Sequence, residues 1–186
     1  MSSYYTRNEL KNLGLNSFGE NVFLSKKASI YSPEKINLGN NVRIDDFCIL
    51  SGDITIGNYV HIAPFCGLFG RFGIEIGDYC TTSSKVMIYS NSDDYSGESL
   101  VSPMIPEEYK NLETGEVIIN KHFIIGSGSV ILPGVNIETG VAVGALSLVK
   151  KDLASWGIYS GVPVKKIKDR KKDLLELQKK LESDLK

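Results

Sequence analysis

An all-β solenoid is the fold class this sequence predicts, and three observations predict it. The first is composition: the 186 residues include 19 Ile, 13 Val and 18 Leu, against 3 Met and 1 Trp, and β-branched residues favour strands. The second is an aliphatic residue at every sixth position. The third is a small or β-branched residue four places after it, with Gly, Asn and Asp crowded between. A period of six suits neither a helix, which repeats every 3.6 residues, nor a flat strand, which repeats every 2. It suits a strand of about four residues followed by a corner, and three such units close one triangular coil of about 18 residues. The inside of each coil is buried only by stacking on its neighbours.

The elements follow in order. Residues 1–20 precede the repeat, and Leu10, Leu13 and Leu15 among polar and aromatic neighbours predict a short helix capping the prism's open end. The repeat occupies 21–162. Its aliphatic row runs Leu38, Ile44, Leu50, Ile56, Ile62, Leu68, slips by two residues across Arg71–Ile74, and resumes as Ile76, Thr82, Ile88. It returns as Ile119, Ile125, Ile131, Ile137, Val143, Val149. The second inward slot holds Val42, Cys48, Val60, Cys66, Cys80, Ser129, Val135, Val141 and Ser147. All three cysteines lie here, as small buried residues rather than nucleophiles or metal ligands.

Between the two runs, residues 89–117 leave the pattern. A loop of that length inside a compact repeat is usually functional, and from Tyr89 to Glu116 it carries seven acidic residues and one Lys. From Pro163 onward, Ile167, Leu174, Leu177, Leu181 and Leu185 share a helical face and predict a helix over 163–186. From Lys165 that segment holds nine basic and five acidic residues.

The formal net charge of −1 gives no reason to expect nucleic acid or a membrane surface as partner. No apolar run approaches the roughly 20 residues that span a bilayer, and the first residues lack the order of a signal peptide. An odd number of cysteines without metal spacing fits a reduced, cytoplasmic setting.

The six-residue pattern resembles the left-handed parallel β-helix of the hexapeptide acyltransferases over roughly residues 20–165. The left hand is implied by that resemblance. Within the superfamily a carbonic anhydrase needs three metal-binding histidines. This chain has two, His61 and His122, so no metal is expected. The strings IGSGSVILPGV, GALSLVKKD and GVPVKKI are similar to the coenzyme A end of the sugar and xenobiotic acetyltransferases. Matched residue by residue, they imply backbone contacts to acetyl-CoA near Gly126, Ser127, Gly144 and Ala145, in a groove between subunits of a homotrimer. Lys150, Lys151, Lys165 and Lys168 would approach the nucleotide phosphates.

The galactoside and maltose acetyltransferases carry a histidine base where this chain has Asp93. A histidine suits deprotonation of a hydroxyl. A carboxylate is a weak base for that task but suffices for an amine, which arrives with its own lone pair. Asp93 and Asp94 would hold the amine, with mutual repulsion raising one of their pKa values. His122, three residues before Ile125, is a second candidate base facing the same groove. The strings RIDDFCILSG, YSNSDDYSGESL and GALSLVKKDLASWGIYSGVPVKKIK are similar to bacterial O-antigen sugar acetyltransferases of the dTDP-4-amino-4,6-dideoxyglucose N-acetyltransferase type. The resemblance implies N-acetylation of a nucleotide-linked amino sugar. Two alternatives stand beside it: O-acetylation of a sugar with His122 as base, and a non-catalytic scaffold.

Overall fold

The protein, seen in a computed structural model that describes residues 3–185, is a parallel β-solenoid of about seven coils. Three flat faces make the prism. The first stacks Phe23–Leu24, Val42–Ile44, Val60–Ile62, Thr81–Thr82, Ile124–Ile125, Ala142–Val143 and Gly157–Gly161. The second stacks Ser29–Tyr31, Met87–Tyr89, Val130–Ile131 and Leu148–Val149 with the leading halves of two long strands, Ile49–Ile56 and Gly67–Ile76. Those two strands turn a corner and finish on the third face, beside Ile36–Leu38, Val117–Ile119 and Asn136–Ile137. Val42 pairs with Val60 and Ile124 with Ala142, a step of 18 residues per coil.

Both inward rows behave as the spacing predicts. Every member of the aliphatic row from Leu38 to Val149, Thr82 included, and every member of the second slot is buried, none more than 4% exposed. The slip also has a physical form. Gly52 pairs with Gly70 but Ile54 with Ile74, so the later strand carries two extra residues, Arg71 and Phe72, in a bulge at the corner.

The corners between the third and first faces explain the Gly-Asn and Gly-Asp pairs. The backbone N–H of Asn40 donates to Asn58 Oδ1, and that of Asn58 to Asp78 Oδ1, each at 2.8 Å. A side chain on the next coil thus satisfies a backbone donor that the strand ladder leaves over. The preceding glycine is required by closeness: a Cβ on Gly39 would stand 2.6 Å from the Gly57 carbonyl oxygen.

At the N-terminus, α1 (Arg7–Asn12) is closed by a capping box between Thr6 and Glu9, and it drops Leu10 into the core. The C-terminal segment differs from the helix expected over 163–186. The chain turns at Val162 and Pro163, and Val164–Asp169 runs back as a strand antiparallel to Gly157–Gly161. Only Leu174–Asp184 is helical, as α2. The edge of the last coil offers unpaired backbone groups, and satisfying them outweighs the helical spacing of the side chains. Ile167, counted on the helical face, lies in the bulged part of this strand and is exposed.

Candidate active site

The extruded loop leaves the prism from the second face. Its two legs pair as a short antiparallel ribbon, Asn91–Ser92 against Glu113–Thr114. At its base lies a cavity of about 500 Å³ lined by Phe69, Tyr89, Asn91, Ser92, Asp93, Tyr95, Val130 and Leu132. Phe69 and Tyr89 stack face to face on successive coils, centroids 5.0 Å apart. The two loop carboxylates are held differently. Asp93 is exposed at the rim. Asp94 is half-buried and ties the loop together, accepting from the Ser96 N–H at 2.7 Å, the Ser99 N–H at 3.1 Å and the Ser99 hydroxyl at 2.9 Å. Hydrogen bonds from Ser96 and Ser99 lower the Asp94 pKa to about 2. Repulsion between the pair was expected to raise one member; at Asp94 the donors win and the shift is downward.

The residues expected to meet the cofactor divide into two groups. Gly126 and Gly144 lie one above the other, where a Cβ on Gly126 would meet the backbone of Gly144 and Ala145. Ser127 and Ala145 follow them round the corner, and the Leu146 N–H bonds the Ser127 carbonyl at 2.9 Å. The Gly144 N–H donates to the Tyr159 carbonyl, and Ser160 pairs with Lys165 on the returning strand. Lys168 pairs with Ile158 beside it. Small residues thus follow one another on successive coils at this corner, a track with exposed Lys165 beside Ser160 and exposed Lys168 further along the returning strand. Lys150 and Lys151 stand elsewhere, exposed at the corner that follows Leu148–Val149 on the second face. One chain does not bring them to the track.

His122 is also apart from the loop. It occupies a left-handed corner position, φ 62°, with its N–H bonded to the Asp78 carbonyl. The ring stacks on Tyr79 at 5.3 Å and leans on Trp156 at 6.3 Å. Its cavity, shared with Arg170, Leu177, Gln178 and Leu181, lies under α2. Burial pushes the imidazole pKa below its ordinary value. The corner conformation turns His122 into an aromatic stack, so it does not share a cavity with Asp93 and Asp94. Within the chain His122 has a packing role that the spacing did not suggest.

A prism of six-residue units, with a track of small residues along one edge of its second face and an acidic loop leaving the other edge, is the architecture of a hexapeptide-repeat protein. The bacterial transferase hexapeptide family (six repeats) matches residues 35–70. Over 179 residues the chain is 46% identical to the dTDP-4-amino-4,6-dideoxy-D-glucose acyltransferase of Escherichia coli, covering 95% of this chain and 93% of that one. It is 53% identical to AntD, an N-acyltransferase from Bacillus cereus crystallised with dTDP-4-amino-4,6-dideoxyglucose and coenzyme A. The two folds superpose with a TM-score of 0.97 over 99% of this chain and 100% of the other. A maltose O-acetyltransferase from Clostridium difficile, 24% identical with a TM-score of 0.56 over 89% of this chain and 74% of that one, shares the fold. The chain belongs to the hexapeptide-repeat acyltransferases, in the branch that contains the E. coli and B. cereus proteins.

The B. cereus protein has also been crystallised with 3-hydroxybutyryl-CoA, and with its own position 84 changed from serine and its own position 94 from aspartate. This chain carries Ser84 and Asp94 at those numbers. Ser84 was not among the residues the sequence pattern singled out. It sits at the corner between the first and second faces, where its carbonyl accepts the Gly128 N–H at 3.1 Å. That places it one coil from Ser127, at the end of the track nearer the loop's strand.

Proposed function

We propose that the enzyme transfers an acyl group from an acyl-CoA, with acetyl as the smallest donor, to the amine of a dTDP-linked 4-amino-4,6-dideoxyhexose. Such a product would serve surface polysaccharide synthesis. The observation that carries this reading is the presence of Ser84 and Asp94 in a chain so similar to the B. cereus N-acyltransferase. Coenzyme A would lie along Gly126, Ser127, Gly144 and Ala145 with its phosphates toward Lys165 and Lys168. Asp94, with Asp93 at the rim, would hold the acceptor amine.

The chemistry follows from the carboxylate. With its pKa at about 2, Asp94 stays ionised and accepts a hydrogen bond from the amine, but it holds a proton poorly. The neutral amine attacks the thioester carbonyl and forms a tetrahedral oxyanion. A hydroxyl or N–H donor aimed at that oxygen lowers the barrier, and Ser84 is the side chain in reach of the track's end. Collapse breaks the C–S bond. The leaving thiolate, whose acid has a pKa of about 8.5, is a far stronger base than Asp94 and takes the amine's proton. The products are the amide and free coenzyme A thiol.

A homotrimer with its sites between subunits belongs to the same reading. Ile49, Phe69, Met87, Tyr89, Val130, Leu132 and Leu148 point outward from the second face, each only half-buried. Parallel sheets are covered on both faces, and copies of this chain are the cover that completes a groove. Three unpaired cysteines fit a cytoplasmic enzyme.

The test is thiol release from acetyl-, butyryl- and 3-hydroxybutyryl-CoA across amino-sugar, nucleotide-amino-sugar and hydroxyl acceptors. Turnover is expected with the dTDP-linked amine, and Asp94→Asn should cut kcat by about 10²-fold or more. Turnover with hydroxyl acceptors alone, or undiminished activity of Asp94→Asn, would remove the amine mechanism.

A further inference from the structure

The repeat is interrupted twice, by the two-residue bulge at Arg71–Phe72 and by the extruded loop, and the structure joins the two interruptions. Ser90, fully buried where the loop leaves the prism, is the hinge. Its hydroxyl donates to the Phe69 carbonyl at 3.0 Å and accepts the Phe72 N–H at 2.9 Å. Its own N–H donates to the same Phe69 carbonyl at 3.0 Å, and its carbonyl accepts the Gly115 N–H from the returning leg. The bulge therefore supplies one of the bonds that fix the outgoing leg three residues before Asp93.

The returning leg rests on the bulge as well. Arg71 reaches Glu107 of the loop at 3.4 Å while its guanidinium lies 5.5 Å over the Phe72 ring. Gly73, at φ 100°, holds a backbone conformation that an L side chain would strain, and the Glu116 side chain comes within 3.0 Å of where a Cβ would stand. In a coil of ordinary length, Gly70 would pass to Gly73 and Ile74 as Gly52 passes to Asp53 and Ile54. Phe72, whose N–H reaches Ser90, and Arg71, whose guanidinium reaches Glu107, are the two residues such a coil lacks.

We infer that the bulge is the seat of the acceptor loop, with Arg71, Phe72 and Ser90 as positioning residues that set where Asp93 and Asp94 stand against the acyl-CoA track. This rests on the reading that those carboxylates hold the acceptor amine. A shift of about 1 Å in a reacting group can cost on the order of 10²-fold in rate, so the device should show in kinetics before it shows in folding. Ser90 and the bulge lie off the Gly126–Gly144 track, and coenzyme A binding should not feel them.

The experiment compares deletion of residues 71–72, Ser90→Ala, Ser90→Thr and Arg71→Ala with the parent enzyme and with Asp94→Asn. Each is measured for kcat, KM for the dTDP-linked amine, Kd for coenzyme A and thermal midpoint. The deletion and Ser90→Ala are expected to lower kcat/KM for the acceptor by about 10- to 100-fold, with coenzyme A affinity within twofold. Arg71→Ala should show a smaller loss in the same direction, and Ser90→Thr, which keeps the hydroxyl, should restore most of the activity. Should the deletion fail to fold, Ser90→Ala decides. Acceptor kinetics within twofold of the parent in Ser90→Ala would overturn the inference. So would losses in kcat, coenzyme A affinity and thermal midpoint that run in parallel, which mark a merely structural role. Full activity of Asp94→Asn would instead sink the functional reading beneath it, so the two failures are distinguishable.

Discussion

Gly126→Ala isolates the closeness of the coils. A Cβ there would lie 2.3 Å from the Ala145 nitrogen, 2.6 Å from its Cα and 2.8 Å from the Gly144 carbonyl carbon. Comfortable separations are about 3.5–4.0 Å, so the coils must part by roughly 1 Å. They are held by the Gly126 N–H to Val143 carbonyl bond at 2.8 Å and the Leu146 N–H to Ser127 carbonyl bond at 2.9 Å. All the atoms in the way are backbone, which puts the change at the upper end of overpacking costs, about 3 kcal/mol. For a chain of this size each kcal/mol moves Tm by roughly 2–4 °C, so a fall of about 6–12 °C is expected. Gly144→Ala is the control. Its methyl meets the Ser160 hydroxyl at 2.7 Å and Cβ at 3.1 Å, and a serine can rotate, so the loss should stay under about 1 kcal/mol. Thermal unfolding followed by far-ultraviolet circular dichroism separates the two variants. Equal falls, or an unchanged midpoint for Gly126→Ala, would show that the coils part freely and that the argument from closeness is wrong.

Acid should find the capped carboxylates. Hydrogen bonds from Lys26 and Thr6 hold Glu9 down to about 2, and donors in the loop do the same for Asp94. At Asp45, burial pushes the pKa up, but bonds from His61, Arg43 and Tyr4 outweigh it and the net shift is down. A depressed carboxylate stabilises the fold fully above its unfolded pKa of about 4 and progressively less as pH falls toward the folded value. His122, whose pKa is lowered by burial, makes Tm ease down as pH falls through its unfolded value of about 6.5, and the carboxylates add a steeper decline between about pH 4.5 and 2; no further decline in that lower window would refute the assignment. The cysteines should be silent in the native state. Burial pushes Cys80 up to about 12, and in the Cys48–Cys66 pair the shared hydrogen bond raises Cys48 and lowers Cys66; for that pair it is burial, with neither side chain more than 1% exposed, that denies a reagent access. A thiol reagent should label none of the three until denaturant is added; stoichiometric labelling of the folded protein would contradict this.

What was legible in the sequence was what side chains alone decide. Ile44, Ile88 and Ile131 face inward because each coil has room for little else, and that demand recurs every six residues. The slip at Arg71–Ile74 could be read for the same reason. The acidic loop was visible as an absence of the pattern, with Asp94 inside it. What failed depends on backbone groups and on neighbours far along the chain. Val164–Asp169 is a strand because the last coil has an unpaired edge, and its lysines, which suit an exposed edge strand, also suit a solvated helix. The packing of His122 was not legible either: it stands where earlier coils put Tyr59 and Tyr79, at a corner position with positive φ, and its ring stacks on Tyr79. Ser84 is a serine at a corner, where serines are common. Only its place one coil from Ser127 distinguishes it, and that requires the coils to be aligned.

The two ends of the prism are unlike, and this governs growth. Any solenoid ends in open coil edges that invite another copy to continue the ladder. Here the Gly157–Gly161 edge is occupied by the chain's own returning strand, and α1 lays Leu10 into the core near the other end. With end-on stacking disfavoured at both poles, the outward apolar residues of the second face are left as the direction in which copies can add. For the trimer proposed above, this closure leaves the side of the prism, and not its ends, as the surface on which copies would meet.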